Sequence, residues 1–592
     1  MKRSLVRLFV FLGVLYLVSI VVTAFIVFGH KGHVPSKTIL EADFERPLVE
    51  DIPDSPTAKV MLADTNSLRD TIDAIDRGAN DDRVVGMVAK IGAGGMGMAQ
   101  AQEIREAVQR FRSKKKFAIA FSETFGEFGP GNGGYYLATA FEQIFLQPSG
   151  DVGLTGLMLE SPFVKGTLAK LGMPFHGDHR YEYKSALNLF TETSYTPAER
   201  EENQAIITSW FSQMKDGICQ ARQIPPDQFQ SLVDRGPYLG KEAQDAKLID
   251  GLAYRDEVYD QAKKRGGDAE LLYLDKYLDR AGRPHDSGKE VALVFGVGEV
   301  ARGKGGFDPV MGQLVMGTDT VAAAIRAAAE DKSVKAILFR VDSPGGSYVG
   351  SDMVWREVVR ARKAGKPVIV SMGNLAGSGG YFVAMAADKI VAQPGTITAS
   401  IGVLSGKFLT SGLWDKLGLT WDEVHDGANA TMWTGTHDYT PAEWQRFQAW
   451  LDRVYNDFTS KAAEGRNMPK DKLLQVAKGR IWSGEDAKNL GLIDELGGYD
   501  TALQLVKKAA GIPESDDIKL VVFPHKKSTL ESLLRREGPD SSDKEGTEGA
   551  TIEMLRAIQP VARKLNDLGA LDLEHPDRGD DVLRMRILMP GR

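Results

Sequence analysis

A serine in the second half of the chain has no hydroxyl-bearing counterpart in the first half. The segment QPGTITASIGV at Gln393–Val403 is repeated, with changes, as QPSGDVGLTGL at Gln147–Leu157. Aligning the two segments puts Leu154 opposite Ser400. Since the repeat accepts an apolar residue here, folding does not need the hydroxyl. Ser400 is therefore either a chance turn residue or a functional group.

A lysine shows the opposite asymmetry. Lys184 lies in YEYKSALNLF at 181–190, and the matching stretch of the second half, HDGANATMWTGTHD at 425–438, has no lysine. A serine hydroxyl becomes a good nucleophile when a base takes its proton. A lysine amine can be that base if burial lowers its pKa from about 10.4 toward 7–8. Each half could thus supply one member of a two-residue site, although a lysine between aromatic residues can also reach water at the surface.

A glycine pair could provide hydrogen-bond donors to such a site. The sequence VDSPGGSYVGSDMVWREV places Gly345 and Gly346 between a predicted strand and a predicted helix. Glycine lets backbone N–H groups approach a substrate carbonyl, and the start of a helix adds positive potential. The same residues also fit an ordinary strand-to-helix turn.

The elements around these residues follow the same order twice. Short β-branched runs such as Val334–Val341 alternate with amphipathic helical runs, which is typical of βαβ units with a largely parallel sheet. The sequence YTPAE at 195–199 recurs at 439–443, and its Thr, Pro and Glu fit the start of a helix. The repeat covers roughly residues 58–263 and 291–508, which predicts two α/β domains in tandem.

Composition excludes several classes of function. The net charge of −7 gives no support for nucleic-acid binding, and the single cysteine, Cys219, excludes an intrachain disulfide and a cysteine zinc cluster. At the N-terminus, basic residues precede an uncharged stretch from Leu8 to Phe28 that would span roughly 30 Å as a helix. This pattern indicates an uncleaved signal anchor, with the remaining chain across the membrane from the cytoplasm.

Together these motifs resemble a known family. RVDSPGG, GSGGYFVAMAADKIVAQPGTITASIGV, YEYKSA and the terminal GLID are similar to signal peptide peptidase A in its long, tandem-repeat form. The resemblance implies Clp/crotonase-like folds, Ser400 as nucleophile, Lys184 as general base and Gly346 as oxyanion donor, without a cofactor. It also implies a homo-oligomer, a tetramer in this family, that degrades signal peptides at the outer face of the bacterial inner membrane. Leu189 departs from the family pattern, which usually has a proline there.

The resemblance and the repeat predict a division of the chain into an anchor, two domains and connecting segments. The predicted segments are a transmembrane anchor at 1–30, a linker at 31–57, a crotonase-like domain with the lysine at 58–270, a connector at 271–290, a crotonase-like domain with the serine at 291–523, and a charged linker and tail at 524–592.

Other patterns suggest different chemistry. Ser378 lies where Clp proteases have their nucleophile, but it would need a histidine such as His425 or His437, and neither half of the repeat supports a triad. The GAGGMG sequence at 92–97 matches a dinucleotide fingerprint, but in the repeat it corresponds to the SPGG loop. The alternatives to a protease are an acyl-CoA enzyme of the same fold and a non-catalytic membrane scaffold.

Overall fold

The computed structural model describes residues 32–53, 56–308 and 312–524. The anchor predicted at 1–30 and the tail predicted from 525 onward lie outside these ranges. Within the described ranges, no helix has both the length and the apolar character that a bilayer crossing requires.

The described residues form 23 strands, numbered here in chain order. They are β1 (Thr38–Asp43), β2 (Leu48–Val49), β3 (Asn66–Ser67), β4 (Val84–Lys90), β5 (Phe117–Ser122), β6 (Gln143–Leu146), β7 (Asp151–Val152), β8 (Phe175–Arg180), β9 (Tyr238–Leu239), β10 (Gly251–Leu252), β11 (Glu270–Tyr273), β12 (Lys289–Val297), β13 (Glu299–Ala301), β14 (Gly306–Asp308), β15 (Gln313–Gly317), β16 (Ala336–Ser343), β17 (Val368–Gly377), β18 (Lys389–Ala392), β19 (Ile397–Ala399), β20 (Val403–Phe408), β21 (Ile481–Ser483), β22 (Glu495–Leu496) and β23 (Ile518–Phe523).

The same ranges contain 19 α-helices and one short 3-10 helix, Ser185–Leu187. The α-helices are Pro56–Met61, Leu68–Ala79, Met98–Ser113, Asn132–Ala138, Lys165–Leu171, Asn188–Thr191, Pro197–Arg222, Phe229–Arg235, Gly240–Asp245, Arg255–Arg265, Leu274–Ala281, Thr318–Glu330, Tyr348–Lys363, Gly379–Ala384, Ser411–Leu417, Pro441–Gly465, Lys470–Val476, Gly484–Asn489 and Tyr499–Ala509.

Two largely parallel sheets share one strand order. The first sheet runs β11–β1–β4–β5–β6–β10, and the second contains the corresponding path β23–β12–β16–β17–β18–β22. Neighbouring strands on both paths are parallel. Each half also has a short antiparallel pair, β7 with β9 and β19 with β21. The structure is therefore mixed α/β, and the sequence repeat corresponds to a repeated sheet topology.

The first sheet begins earlier in the chain than the sequence pattern indicated. The segment 31–57 was expected to be a linker, yet it contains β1, which lies between β4 and β11. Ile39 and Leu40 of β1 are fully buried. A six-residue strand with one short apolar run gives a weak periodic signal. Its strand conformation is stabilised by pairing with β4 and β11 rather than by the local sequence alone.

The two helices that follow YTPAE begin as the sequence predicts. Thr196 Oγ1 accepts a hydrogen bond from Glu199 N at 3.2 Å, at the start of the helix Pro197–Arg222. Thr440 does the same for Glu443, whose carboxylate accepts a hydrogen bond from Thr440 N at 2.8 Å. These caps satisfy backbone N–H groups that a helix start otherwise leaves unpaired.

One strand pair joins the two halves next to the residues of interest. Strand β8 of the first half pairs antiparallel with β20 of the second half, with Arg180 opposite Val403. Ser400 lies three residues before Val403, and Lys184 lies four residues after Arg180. The pairing therefore brings the two segments, far apart in sequence, close together.

Candidate active site

Ser400 lies on a tight turn immediately after β19. Its backbone has φ 50°, and the preceding Ala399 has φ 68°, so two consecutive non-glycine residues adopt the left-handed region. Such conformations persist only where the surrounding structure holds them, and they are concentrated at functional sites. Here the Ser400 N–H donates to Arg480 O at 2.9 Å. Ser400 Oγ also lies 3.3 Å from Gly479 O.

Lys184 reaches the same turn from the first half. Its side chain is almost completely buried, with 6% of the residue exposed. Nζ lies 2.8 Å from Ser400 Oγ and 2.8 Å from Ser400 O. In its neutral form the amine can accept the Ser400 hydroxyl proton while one of its N–H groups donates to Ser400 O. The structure thus brings together two residues that the repeat had singled out separately.

Burial changes the protonation of this amine. Removal from water lowers the pKa of Lys184 to about 7, because the charged form loses its hydration. The Glu202 carboxylate acts in the opposite direction and raises the pKa. A substantial fraction of the amine is therefore neutral near pH 7, which is the state that a general base requires.

Two glycines make room for Lys184. A Cβ on Gly479 would lie 2.5 Å from Lys184 Cβ, and the φ of Gly479 is +83°. A Cβ on Gly402 would lie 3.1 Å from Lys184 Cδ. The backbone is also held here, since Tyr183 N donates to Lys478 O at 3.3 Å and Gly479 N donates to Ile401 O at 2.8 Å. The segment 478–480 thus fixes the position of Lys184 relative to Ser400.

We expect Gly479→Ala to lower kcat/KM by about 10²-fold, because a shift of about 1 Å between reacting groups has an effect of that size. A matched control is Gly418→Ala. Gly418 has a similar φ of +71°, but a Cβ there would meet nothing within 4 Å. The left-handed backbone should reduce the stability of both variants by about 1–2 kcal/mol. Gly479→Ala should lose more than Gly418→Ala because its Cβ overlaps Lys184, and only Gly479→Ala should reduce the activity of the folded enzyme. Equal activity in the two variants would contradict this role of Gly479.

The SPGG loop connects β16 to the helix Tyr348–Lys363. Gly345 and Gly346 have φ of +100° and +146°, and a Cβ on Gly346 would lie 2.4 Å from Val300 O. The loop is held by Val300, which donates to Gly345 O at 2.8 Å and accepts from Ser347 N at 2.7 Å. Glycine is thus required at both positions for conformation and for close packing.

The SPGG loop and Ser400 both lie close to Gly377, the last residue of β17. A Cβ placed on Gly377 would lie 3.7 Å from Ser400 Cβ and 3.8 Å from Pro344 O. Pro344, which precedes the glycine pair, and Ser400 are therefore both close to Gly377. This places the loop beside the Ser400 turn.

Ser378 is held in the framework of the site. It has φ 52°, directly before the helix Gly379–Ala384, and a Cβ on Gly345 would lie 2.7 Å from its Cβ. The two histidines considered as its partners lie near Glu423 instead, at 3.9 Å for His425 and 3.7 Å for His437. These contacts do not favour a histidine-dependent Ser378 nucleophile.

In the first half, the counterparts of these residues have different roles. Leu154 is buried in the apolar core, with 2% of the residue exposed. The glycine-rich segment 92–97 follows β4 and precedes the helix Met98–Ser113, and Asn374 of the second half closely approaches Gly97. The loop therefore packs against the other half of the molecule.

Sequence reasoning missed Gly479, Arg480 and Glu202, which all contact the Ser400 or Lys184 segments. One signal was available for Gly479. Gly236 occupies the corresponding loop before β9, and a Cβ there would lie 2.1 Å from Leu154 O. A glycine at this point in both halves indicates a close backbone approach beneath the turn that carries Ser400 or Leu154.

Comparison with known proteins identifies the family. The sequence model of Peptidase family S49 matches residues 111–268 and 360–513, together more than half of the chain. The chain belongs to Peptidase family S49. This S49 chain is 32% identical over 485 residues to "Protease 4" of Salmonella typhi, covering 79% of the chain and 76% of that protein. The chain is a serine protease by family.

Two further similarities extend the comparison. The S49 chain is 29% identical to "Serine protease SPPA, chloroplastic" of Arabidopsis thaliana, over 83% of the chain and 73% of that protein. Among solved structures, a ClpP1 mutant from Listeria monocytogenes matches 36% of the chain and 94% of its own, with 14% identity and a TM-score of 0.23.

Proposed function

We propose that this S49 protease cleaves peptide bonds with Ser400 as nucleophile and Lys184 as general base. The observation that carries the proposal is the 2.8 Å separation of Lys184 Nζ and Ser400 Oγ, at an amine with only 6% of its residue exposed. The lowered pKa of Lys184 supports the role of base. The strained backbone at Ser400 supports the role of nucleophile.

The proposed reaction uses Lys184 as the proton carrier. Nζ takes the proton of Ser400 Oγ as the oxygen attacks the scissile carbonyl, and the Gly346 N–H stabilises the oxyanion. The resulting ammonium gives its proton to the leaving amine, so the peptide C–N bond breaks and an acyl-enzyme remains on Ser400. A water molecule then loses a proton to Lys184 and attacks the ester. As the ester C–O bond breaks, the Lys184 ammonium returns that proton to Ser400 Oγ, so the second product leaves and both residues are restored.

We also propose where the protease acts. The uncharged stretch from Leu8 to Phe28 supports a single-pass anchor in the bacterial inner membrane, with the catalytic region on the outer side. In this proposal the substrates are signal peptides left in the bilayer. The protein is a homo-oligomer of tetrameric size, built from two crotonase-like domains, the first of which includes β1. The resemblance of the motifs and the bacterial relative support this assignment.

A fluorophosphonate that carries a short apolar peptide tests the proposed nucleophile. We expect it to modify Ser400, with a rate that rises with pH and reaches half its maximum near pH 7. The sign follows from the base: lowering pH below the pKa of Lys184 protonates the amine, which can then no longer accept the hydroxyl proton. Mass spectrometry of proteolytic fragments locates the modified residue, and the rate is measured from pH 5 to pH 9.

Variants separate the possible outcomes of this experiment. Ser400→Ala should lose the modification, and Lys184→Met should slow modification of Ser400 strongly at every pH. Modification at Ser378, or of no serine, would refute the proposed nucleophile. Modification of Ser400 at an unchanged rate in Lys184→Met would refute the proposed base.

A further inference from the structure

Glu202 is a buried carboxylate close to the proposed dyad, and the reaction above does not use it. It lies in the helix Pro197–Arg222, and only 1% of the residue is exposed. Its Oε1 accepts a hydrogen bond from Ser185 Oγ at 2.8 Å, and its Oε2 accepts one from Ile481 N at 3.2 Å. A carboxylate removed from water needs such partners, so both bonds constrain its position.

Each hydrogen-bond partner of Glu202 lies next in sequence to a residue of the site, either Lys184 or Arg480. Ser185 directly follows Lys184, and Ile481 directly follows Arg480, whose carbonyl accepts the Ser400 N–H at 2.9 Å. One side chain of the first half therefore connects the lysine segment to the strand beneath the Ser400 turn. Loss of this connection would loosen the lysine and the serine relative to each other.

We propose that Glu202 is a positioning residue that holds the Lys184 amine against Ser400 and supplies a buried negative charge beside it. This inference rests on the proposed function, because it assigns Glu202 a role in the same dyad. Glu202 acts through its neighbours, and no substrate contact is assigned to it.

The charges around Glu202 come from each segment that packs against it. Glu202 interacts electrostatically with Lys184, with Arg480 directly before β21, and with Glu199 one turn earlier in its own helix. Burial raises the pKa of Glu202 to about 7, while its hydrogen bonds and Arg480 lower it and Glu199 raises it. Glu202 and Lys184 thus titrate over the same pH range, and the measured midpoint of the reaction belongs to the pair.

Removing the charge while keeping the shape tests the electrostatic role. In Glu202→Gln, the amide oxygen can still accept from Ile481 N and the amide nitrogen can donate to Ser185 Oγ. Since the carboxylate raises the pKa of Lys184, its loss should lower that pKa. The midpoint of Ser400 modification by the fluorophosphonate should therefore move to lower pH, by about one unit.

Two further variants complete the test. Ser185→Ala breaks one of the two bonds that connect the segments but keeps the carboxylate, so it should lower the maximum rate about tenfold or more, with a smaller acid shift of the midpoint than Glu202→Gln. Asp216→Asn is the control, because Asp216 is an exposed acidic residue about four turns farther along the same helix. Its midpoint and maximum rate should equal those of the wild type, since solvent screens an exposed charge. Thermal unfolding of each variant separates loss of folding from loss of positioning.

The outcomes distinguish this inference from the proposed function. If wild-type Ser400 is modified with a midpoint near pH 7 and Glu202→Gln has the same midpoint, the electrostatic role of Glu202 is wrong and the dyad stands. If Ser185→Ala keeps the wild-type rate, the positioning role is wrong. If wild-type Ser400 is not modified at any pH, the proposed function fails and the inference fails with it.

Discussion

Lys184→Met is expected to lower kcat/KM for a peptide substrate by about 10³-fold at pH 8, within the range that loss of a general base produces. Methionine has nearly the same length as lysine and fills the same buried space, but it has no amine to accept the Ser400 proton. It also removes a buried group whose charged form is unfavourable there. The folded state should therefore persist, and the loss should fall on kcat.

The control for this variant is Lys478→Met. Lys478 lies on the neighbouring loop, where its side chain is 44% exposed and pairs with Glu182 at 3.0 Å. We expect wild-type kcat/KM, because exposed ion pairs contribute little.

The double variant Ser400→Ala/Lys184→Met should be about as inactive as either single variant, since residues that act as a unit give non-additive losses. Activity of Lys184→Met within tenfold of the wild type would contradict the role of Lys184.

The internal repeat is what made the site partly predictable from the sequence. Two copies of one topology can be aligned with each other. A residue that is present in one copy only can then be distinguished from residues that the fold requires. Leu154 illustrates this, because it is a core residue at the position where the other copy has Ser400. The helix starts at Thr196 and Thr440 were predictable for a local reason, since the N-cap bond from the glutamate N–H to the threonine hydroxyl forms within four residues.

Contacts between the halves were not predictable in the same way. Glu202 reaches Ile481, and Lys184 packs on Gly479, across almost 300 positions of sequence. Such pairs depend on how β8 and β20 meet, and neither strand's periodicity specifies its partner. Strand β1 was missed for a related reason, because its identity as a strand depends on neighbours that follow it in the chain.

A buried charge cluster also joins the two halves away from the dyad. Arg340 of β16 is fully buried; its Nε donates to Glu50 at 2.8 Å and its Nη2 donates to Glu103 at 2.6 Å. Its Nη1 donates to Ser371 Oγ at 2.8 Å, and the guanidinium lies 4.6 Å from the centre of the Tyr499 ring. Both glutamates come from the first half of the chain. The planar, five-donor guanidinium suits a position with several acceptors.

Arg340→Met is expected to lower the free energy of unfolding by about 3–5 kcal/mol, because removing one partner leaves buried charges uncompensated. Two carboxylates, Glu50 and Glu103, would then remain in the interior without their cation. Burial already raises the pKa of Glu103, and Arg340 opposes that rise. Chemical denaturation at pH 8 measures the loss.

Two comparisons separate charge from packing in this result. Arg326→Met is the control, since Arg326 pairs with Glu357 at 2.8 Å but is 47% exposed. This variant should lose less than about 1 kcal/mol of the free energy of unfolding.

The triple variant Arg340→Met, Glu50→Gln and Glu103→Gln removes all three charges at once. It should be more stable than Arg340→Met alone, because neutral amides do not need a cation. If the triple variant is instead less stable than the single one, the hydrogen bonds and packing of Arg340, rather than its charge, hold the two halves together here.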